Sequence, residues 1–404
     1  PRIAEVATGG HVAYGIAIGN DTNAWITDDA GGTVSRVILY GGSAGAVSDT
    51  VLTPADAEPT AIALRYFGRR CFTEARANRI GCLDWNGAVS FTVDVPTPAS
   101  GLVDIINGPG SAPQSPDMWF AEHDAGKIGR MSIDEASAQA SGTIVAEYPL
   151  PAGCFPTALT WANDGNVWWA AEGCRRIGWI VPDTGAVETV PVEVGRPIGL
   201  TLNLGEAGVW FVDAASDRLG RLTSAGGLSW FSPPVAGSGL TAVALGPDQA
   251  VYVTESAGNA IARFALAAFD PNADPNTGRL AEELALPTAG AKPFRITSGG
   301  DGNLWFTERG QARIGVVHMS AHCIGGTIAL ADRTPVVGAV VTAGATDGTQ
   351  RTASTGSDGY YQVCGLPAGT YVLTPSAASR TFTPPSITVV LSSSNAFSRD
   401  FTAQ

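Results

Sequence analysis

Lysine is nearly missing from this chain of 404 residues: only Lys127 and Lys292 occur. Arginine does not make up the deficit, since Lys and Arg together number 24 against 37 Asp and Glu, a formal net charge of −13. A polyanion needs a basic patch, so nucleic acid is excluded as a partner. Charged residues of both signs make up 15% of the chain, well below the roughly 25% usual in soluble domains. Long apolar runs are lacking too, and nothing approaches the roughly 18 residues of a membrane span or looks like a signal peptide. The chain begins at Pro1 rather than Met and reads as a mature or trimmed product.

Turn formers are plentiful instead. Fifty Gly and 26 Pro supply the many reversals that an all-β chain needs. Seven times an aromatic-rich strand ends in an acid and returns through a strand of basic, Ile and Gly residues: NAWITDDAGGTVSR, RRCFTEARANRIGC, DMWFAEHDAGKIGR, NVWWAAEGCRRIGW, GVWFVDAASDRLGR, AVYVTESAGNAIAR and NLWFTERGQARIGV. A repeat of about 40 to 55 residues built from short strands predicts propeller blades, because one four-stranded sheet cannot bury both faces alone.

An apolar run precedes each copy (YGIAIG, TAIALR and so on), and a Gly-led alternating strand follows six of them. The seventh lacks its outer strand. Residues 2–10, RIAEVATGG, read like the missing piece, so the N-terminal strand is expected to complete the last blade and close the ring. The predicted fold class is all-β, with a seven-bladed β-propeller over residues 1–320. From residue 323 to 404 the pattern changes to about seven short strands between Gly, Pro and Asp turns, an immunoglobulin-like or transthyretin-like β-sandwich. The connector between the two is too short for a flexible tether, so a fixed relative orientation is expected.

Six cysteines fall into three local pairs. Cys71 and Cys82 flank the hairpin of the second repeat, Cys154 and Cys174 sit on two connections that leave the same face of blade four, and Cys323 and Cys364 are the pair of the C-terminal region. Three disulfides imply an oxidising compartment, hence an extracellular protein.

The recurrent acids Asp28, Glu74, Glu122, Asp213, Glu255 and Glu308 invite a cation-binding ring. In four of those blades a cation stands five residues later (Arg79, Lys127, Arg218, Arg313), so cross-strand charge pairs are expected instead. The recurrent Trp25, Trp119, Trp168, Trp210 and Trp305 are expected to be inter-blade core. His123, beside Glu122, is expected on the surface. One insertion has metal-ligand spacing: Asp270, Asn272, Asp274 and Asn276 alternate ahead of Gly278 and could bind Ca2+. Two prolines interrupt it, and Ala281 stands where a bidentate glutamate belongs.

The segment SDGYYQVCGLPAGTYVL resembles the carboxypeptidase-regulatory-like and Cna-B-type modules of many bacterial surface proteins. A Lys–Asn crosslink of the kind some relatives form is excluded, because residues 324–404 contain no lysine. Residues 1 to about 320, with repeats such as DGNLWFTERGQARIG at 301–315, resemble the virginiamycin B lyase (streptogramin lyase) family. That resemblance implies a seven-bladed fold. It also implies an active-site tyrosine at the lead-in to blade one, histidines at the lead-ins to blades six and seven, and carboxylates with a magnesium ion, which open a cyclic depsipeptide by elimination.

Tyr14 matches the tyrosine. Thr241 and Phe294 stand where the histidines are expected, and Lys292 where an acid is expected. Glu308 lies near the last carboxylate. Threonine and phenylalanine cannot take a proton near neutral pH. A non-catalytic extracellular binding or assembly protein is therefore expected, with a head-to-tail filament of copies as one variant. The alternatives are a lyase working near Tyr14 and an adhesin for surface protein or glycan.

Overall fold

The computed structural model describes residues 3–404 except 20–22, 40–44, 53–56, 66–68, 85, 113–114, 135–139, 193–194, 204–206, 234, 249, 265–279, 320–321, 346–347, 349, 357–358, 367–368, 392–395 and 397–398. The candidate calcium run Asp270, Asn272, Asp274 and Asn276 lies outside the described residues. Two compact units are present: Pro1–Leu245 with Ala250–Gly300 and Leu304–Val317, and His318–Gln404 with Gly246–Gln249 and Asp301–Asn303.

The first unit is a ring of seven four-stranded antiparallel sheets. Each begins with an inner strand, from Ile16–Ile18 in blade one to Pro293–Ser298 in blade seven. Inner strands touch their neighbours all the way round, blade seven against blade one included. The closing strand is where the sequence places it. Ile3–Ala7 pairs antiparallel with Arg313–Val317, from Ile3 opposite Val317 to Ala7 opposite Arg313, as the outer strand of blade seven. Glu5 on this strand accepts hydrogen bonds from the Thr288 amide (3.0 Å), the Thr288 hydroxyl (2.5 Å) and Arg313 (3.2 Å).

Two packing devices explain the repeat residues. The first joins the aromatic of the second strand to the glycine of the third. In five blades these two residues are cross-strand partners: Phe72 and Gly81, Phe120 and Gly129, Trp169 and Gly178, Phe211 and Gly220, Phe306 and Gly315. The far end of the ring covers the glycine, so that a Cβ would meet Phe120 Cζ at 2.0 Å or Phe306 Cζ at 1.9 Å. Blades one and six pair Ile26 with Ser35 and Val253 with Ala262 instead. Glycine is present where the partner is aromatic and absent where it is aliphatic. The recurrent tryptophans form the inter-blade core as expected: Trp25, Trp119, Trp168, Trp210 and Trp305 are all at most 1% exposed.

The second device ties blade to blade through a threonine. Thr27 Oγ1 takes the Gly15 amide at 2.8 Å and donates to the Thr60 carbonyl of blade two at 2.6 Å. Thr254 does the same between the Ala242 amide (2.9 Å) and the Phe294 carbonyl (3.0 Å). Thr307 links the Arg295 amide (3.0 Å) to the Tyr14 carbonyl across the closure (3.3 Å). The residue just before the recurrent acid thus carries ring cohesion, and the pattern is visible in the sequence as ITD, FTE and VTE.

Cys71–Cys82 and Cys154–Cys174 are disulfides, closing separations of 11 and 20 residues. Cys323 is also disulfide-bonded, while the side chain of Cys364, on the strand Tyr360–Leu366, is outside the described residues. Cross-linking a segment of this size restricts the unfolded chain by about 3 kcal/mol. Replacing Cys154 and Cys174 together by alanine is expected to cost about 2–4 kcal/mol in urea denaturation; an unchanged midpoint would show that the bridge adds nothing to blade four.

The second unit packs two four-stranded sheets face to face. One orders Tyr360–Leu366, His322–Leu330, Phe401–Ala403 and Phe382–Thr383; the other orders Gln350–Ser354, Val340–Ala345, Gly369–Ser376 and Ile387–Leu391. That makes eight strands among the described residues, where about seven are expected. Ile324, Ile328, Val341, Tyr361, Leu373 and Phe401 are among its core residues.

Candidate functional site

The inner strands enclose a central cavity of about 500 Å³ to which all seven blades contribute. Where these strands begin, blades seven and one bring Tyr14 and Phe294 together. Their rings meet edge to face with centroids 5.1 Å apart. The Arg309 guanidinium lies 4.9 Å from the Tyr14 ring centre and is held bidentately by Asp29 at 2.6 and 3.1 Å. Arg295 lies 5.8 Å from both rings. Tyr14 is therefore packed among an aromatic ring and two cations.

Thr241 is committed elsewhere. Its hydroxyl is 2.8 Å from that of Thr254 and 3.2 Å from the carbonyls of Pro293 and Phe294, which makes it part of the tie between blades six and seven. Lys292 is exposed, in a left-handed conformation with φ of 53°. Glu308 is fully buried, and no hydrogen bond reaches either carboxylate oxygen.

The recurrent acids differ from expectation in an instructive way. The backbone register sets Glu74 opposite Arg79, Glu122 opposite Lys127, Asp213 opposite Arg218 and Glu308 opposite Arg313. Only in blade two does the expected pair close, Arg79 Nε to Glu74 Oε2 at 2.5 Å. In blade three Lys127 turns to Glu147 on the outer strand (3.1 Å), and in blade seven Arg313 turns to Glu5. Asp213 accepts from the Ser216 hydroxyl and from the amides of Arg196 and Ala215. Cross-strand spacing fixes Cα partners, but a long cation reaches the more solvated of two acids.

Glu122, Glu255 and Glu308 are left buried without hydrogen bonds. Burial pushes their carboxyls up, to about 8 for Glu122 and about 7 for Glu255 and Glu308, with Glu147, Glu283 and Glu5 adding like-charge repulsion.

Among the described residues, no histidine lines the cavity. His11 Nδ1 is 3.4 Å from Asp28 and 3.2 Å from the Thr33 hydroxyl. His123, read from sequence as a surface residue, is one-quarter exposed and bridges Asp124 (2.7 Å) and Glu172 of blade four (3.1 Å). Among the described residues no group of three or more His, Cys, Asp or Glu side chains could hold a metal ion. The magnesium site implied by the resemblance does not fit the residues present: Lys292 stands where an acid is expected, and the one acid near the last expected carboxylate, Glu308, is buried with Arg313 as its neighbouring cation.

A ring-closed propeller with its mouth near the blade-one tyrosine, followed by a β-sandwich, defines the class of this protein. The virginiamycin B lyase family matches residues 2–265, a span that stops before Phe294, and the carboxypeptidase regulatory-like domain matches residues 324–403. The chain belongs to the virginiamycin B lyase family. A virginiamycin B lyase of Nocardia farcinica is 30% identical over 254 residues, 62% of this chain and 80% of that protein. Among solved structures, a streptogramin B lyase shares 27% identity with a TM-score of 0.65, covering 78% of this chain and 96% of the other. A catalytically inactive histidine-to-alanine variant of the Staphylococcus aureus virginiamycin B lyase, with quinupristin, shares 25% identity with a TM-score of 0.65, covering 78% and 98%.

Proposed function

We propose that this chain is a non-catalytic binding or assembly protein that works outside the cell. The observation that carries this reading is the Phe294–Tyr14 edge contact, in which a phenyl ring occupies the place where the resemblance puts a proton-transfer histidine. Loss of one histidine is enough to inactivate the Staphylococcus aureus relative named above. Here Thr241 fills the second position with a hydroxyl already used between blades. Two disulfides and a third bonded cysteine support an oxidising compartment.

Assembly through the sandwich is supported by charge. The outer face of its second sheet presents Thr342, Thr352, Thr370, Val372, Thr388 and Val390, without an acid or a base, on a chain of net charge −13. Val390 is 70% exposed and Val372 43%. Copies of so acidic a chain repel except where charge is absent. Light scattering at high concentration is expected to report particles larger than one chain, reverting to monomers in the Val390→Glu variant. Monomers throughout would remove the assembly variant.

The lyase reading is favoured by family membership and by Tyr14. Incubation with quinupristin and magnesium, followed by chromatography because elimination leaves the mass unchanged, is expected to return intact ring. Opening at an enzymatic rate would establish the lyase and overturn the non-catalytic reading.

A further inference from the structure

The residue that precedes the inner-strand partner of each repeat aromatic lies at one level of the channel. In five blades it is glycine or alanine: Gly15, Ala61, Ala158, Gly199 and Ala242. In blade three it is Asp104, before Ile105, and in blade seven it is Arg295, before Ile296. All seven line the cavity. Five blades show that a small residue satisfies the ring at this level, so filling it does not require the two charges, although each makes one hydrogen bond to another blade.

Nor do they form a tight strut. Arg295 Nη1 stands 3.9 Å from Asp104 Oδ1, too far for a hydrogen bond, while Nη2 donates to the Val103 carbonyl at 3.2 Å. Asp104 Oδ2 accepts the Leu159 amide at 2.8 Å, which aims Oδ1 at the gap. The two side chains are 23% and 13% exposed. Burial pushes the Asp104 carboxyl up, against the pull of Arg295. A loosely closed pair so enclosed is weak as a stabilising device, because desolvating both charges offsets their attraction. The Tyr14 hydroxyl also faces Arg295 and the Ile105 amide faces Asp104, yet five guanidinium N–H groups and a carboxylate offer more hydrogen bonds than these partners use. Beyond the gap the wall carries Ile18, Leu64, Ile106, Leu202 and Leu245, interspersed with Asn107, Thr201, Thr297 and Ser298.

A ligand that fits must bring an anionic and a cationic group a few ångströms apart, with an apolar tail. We propose that the throat of the propeller channel is a binding site for a small apolar α-amino acid, its carboxylate on Arg295 and its ammonium on Asp104. This inference rests on the binding reading above and names its ligand class. The carboxylate would form the charge-assisted fork for which guanidinium is suited, and the aliphatic side chain would leave water for the leucine-lined wall.

The test is calorimetric titration of the full chain with L-leucine, 4-methylpentanoate (no ammonium) and isoamylamine (no carboxylate). Leucine is expected to bind with a Kd of about 0.1–1 mM, and each analogue at least about tenfold more weakly. The analogues test the site in the unaltered chain, so the outcome does not depend on a variant folding. Arg295→Met and Asp104→Asn, checked for folding by circular dichroism, are each expected to weaken leucine at least about tenfold.

No heat with leucine at about 20 mM, analogues that bind as well as leucine, or an undiminished Arg295→Met variant would each overturn the site. Ring opening of quinupristin would defeat the non-catalytic reading while leaving the amino-acid site standing. Absence of leucine binding without ring opening would defeat the site alone.

Discussion

Gly129→Ala is expected to destabilise the propeller by about 2–4 kcal/mol, and Gly129→Val to prevent blade three from forming. The alanine Cβ would stand 2.0 Å from Cζ and 2.1 Å from Cε2 of Phe120, a ring with no exposed surface. Interiors are packed too densely for the ring to yield without disturbing its neighbours. Met118, Ile105 and Met131 share its cluster. The strand backbone itself tolerates alanine, so the cost is steric rather than conformational.

Blade six supplies the rescue, because it pairs Val253 with Ala262 in the same register. Phe120→Val alone leaves a cavity and is expected to cost about 2–3 kcal/mol. The double variant Phe120→Val, Gly129→Ala reproduces blade six and is expected to cost at least about 1 kcal/mol less than the two single changes summed. Urea denaturation of the four chains measures this coupling. Strict additivity would mean that the ring-over-glycine contact is not what ties the two positions together.

That covariation shows what the sequence carried and where it fell silent. Repeat spacing, aromatic strands, Gly-led outer strands and the orphan first strand all report backbone pairing. Pairing is local and periodic, so Ile3–Ala7 could be assigned to blade seven across more than 300 residues of intervening chain. Cys71 could be set opposite Cys82 on the same reasoning, and the two are cross-strand partners. The charge pair closed in blade two but not in the other three blades, because rotamer choice is not periodic. Lys127 and Arg313 each had two acids within reach, and only three-dimensional solvation distinguishes them.

Thr241 and Phe294 can be read from sequence at the positions where the resemblance expects histidines, but the packing of Phe294 on Tyr14 cannot. Nothing near residue 294 in sequence announces Tyr14, which packs against it across the junction of blades seven and one. Arg295 and Asp104 were likewise invisible as a pair. They stand 191 positions apart in FRI and VDI, and only alignment of all seven lead-ins marks them as departures from Gly and Ala. Threonine precedes the recurrent acid in four repeats, and that recurrence is the sequence signal of the tie between blades.

The stability of the folded chain is expected to fall as pH rises from about 5 to about 8.5, opposite to the trend that ordinary paired carboxylates produce. Free glutamate titrates near 4.5, whereas Glu122 is raised to about 8 and Glu255 and Glu308 to about 7, burial being the principal cause. Below pH 4.5 folded and unfolded chains both hold these protons, and the three groups contribute no pH dependence. Between 4.5 and the raised values the unfolded chain releases protons that the folded chain keeps, so folding loses free energy with each step upward. Above about 8 both states are ionised and the loss is complete.

One pKa unit corresponds to about 1.4 kcal/mol. With allowance for water entering these sites, about 1–2 kcal/mol per glutamate is expected. Replacing all three by glutamine keeps their shape and removes the ionisation. The triple variant is expected to match the parent near pH 5 and to exceed it by about 3–6 kcal/mol at pH 8.5, read from urea midpoints at both values. An equal effect at both pH values would show that hydrogen bonding, not charge, distinguishes the residues.

The consequence for the ring is local. Ionised Glu308 faces Glu5 on the closing strand, and Arg313 is shared between them. Amide exchange along Ile3–Ala7 is therefore expected to lose protection above pH 8 before the inner strands do, once the intrinsic rise in exchange rate with pH is divided out. The Glu308→Gln variant alone should restore it, because Glu122 and Glu255 face Glu147 and Glu283 instead.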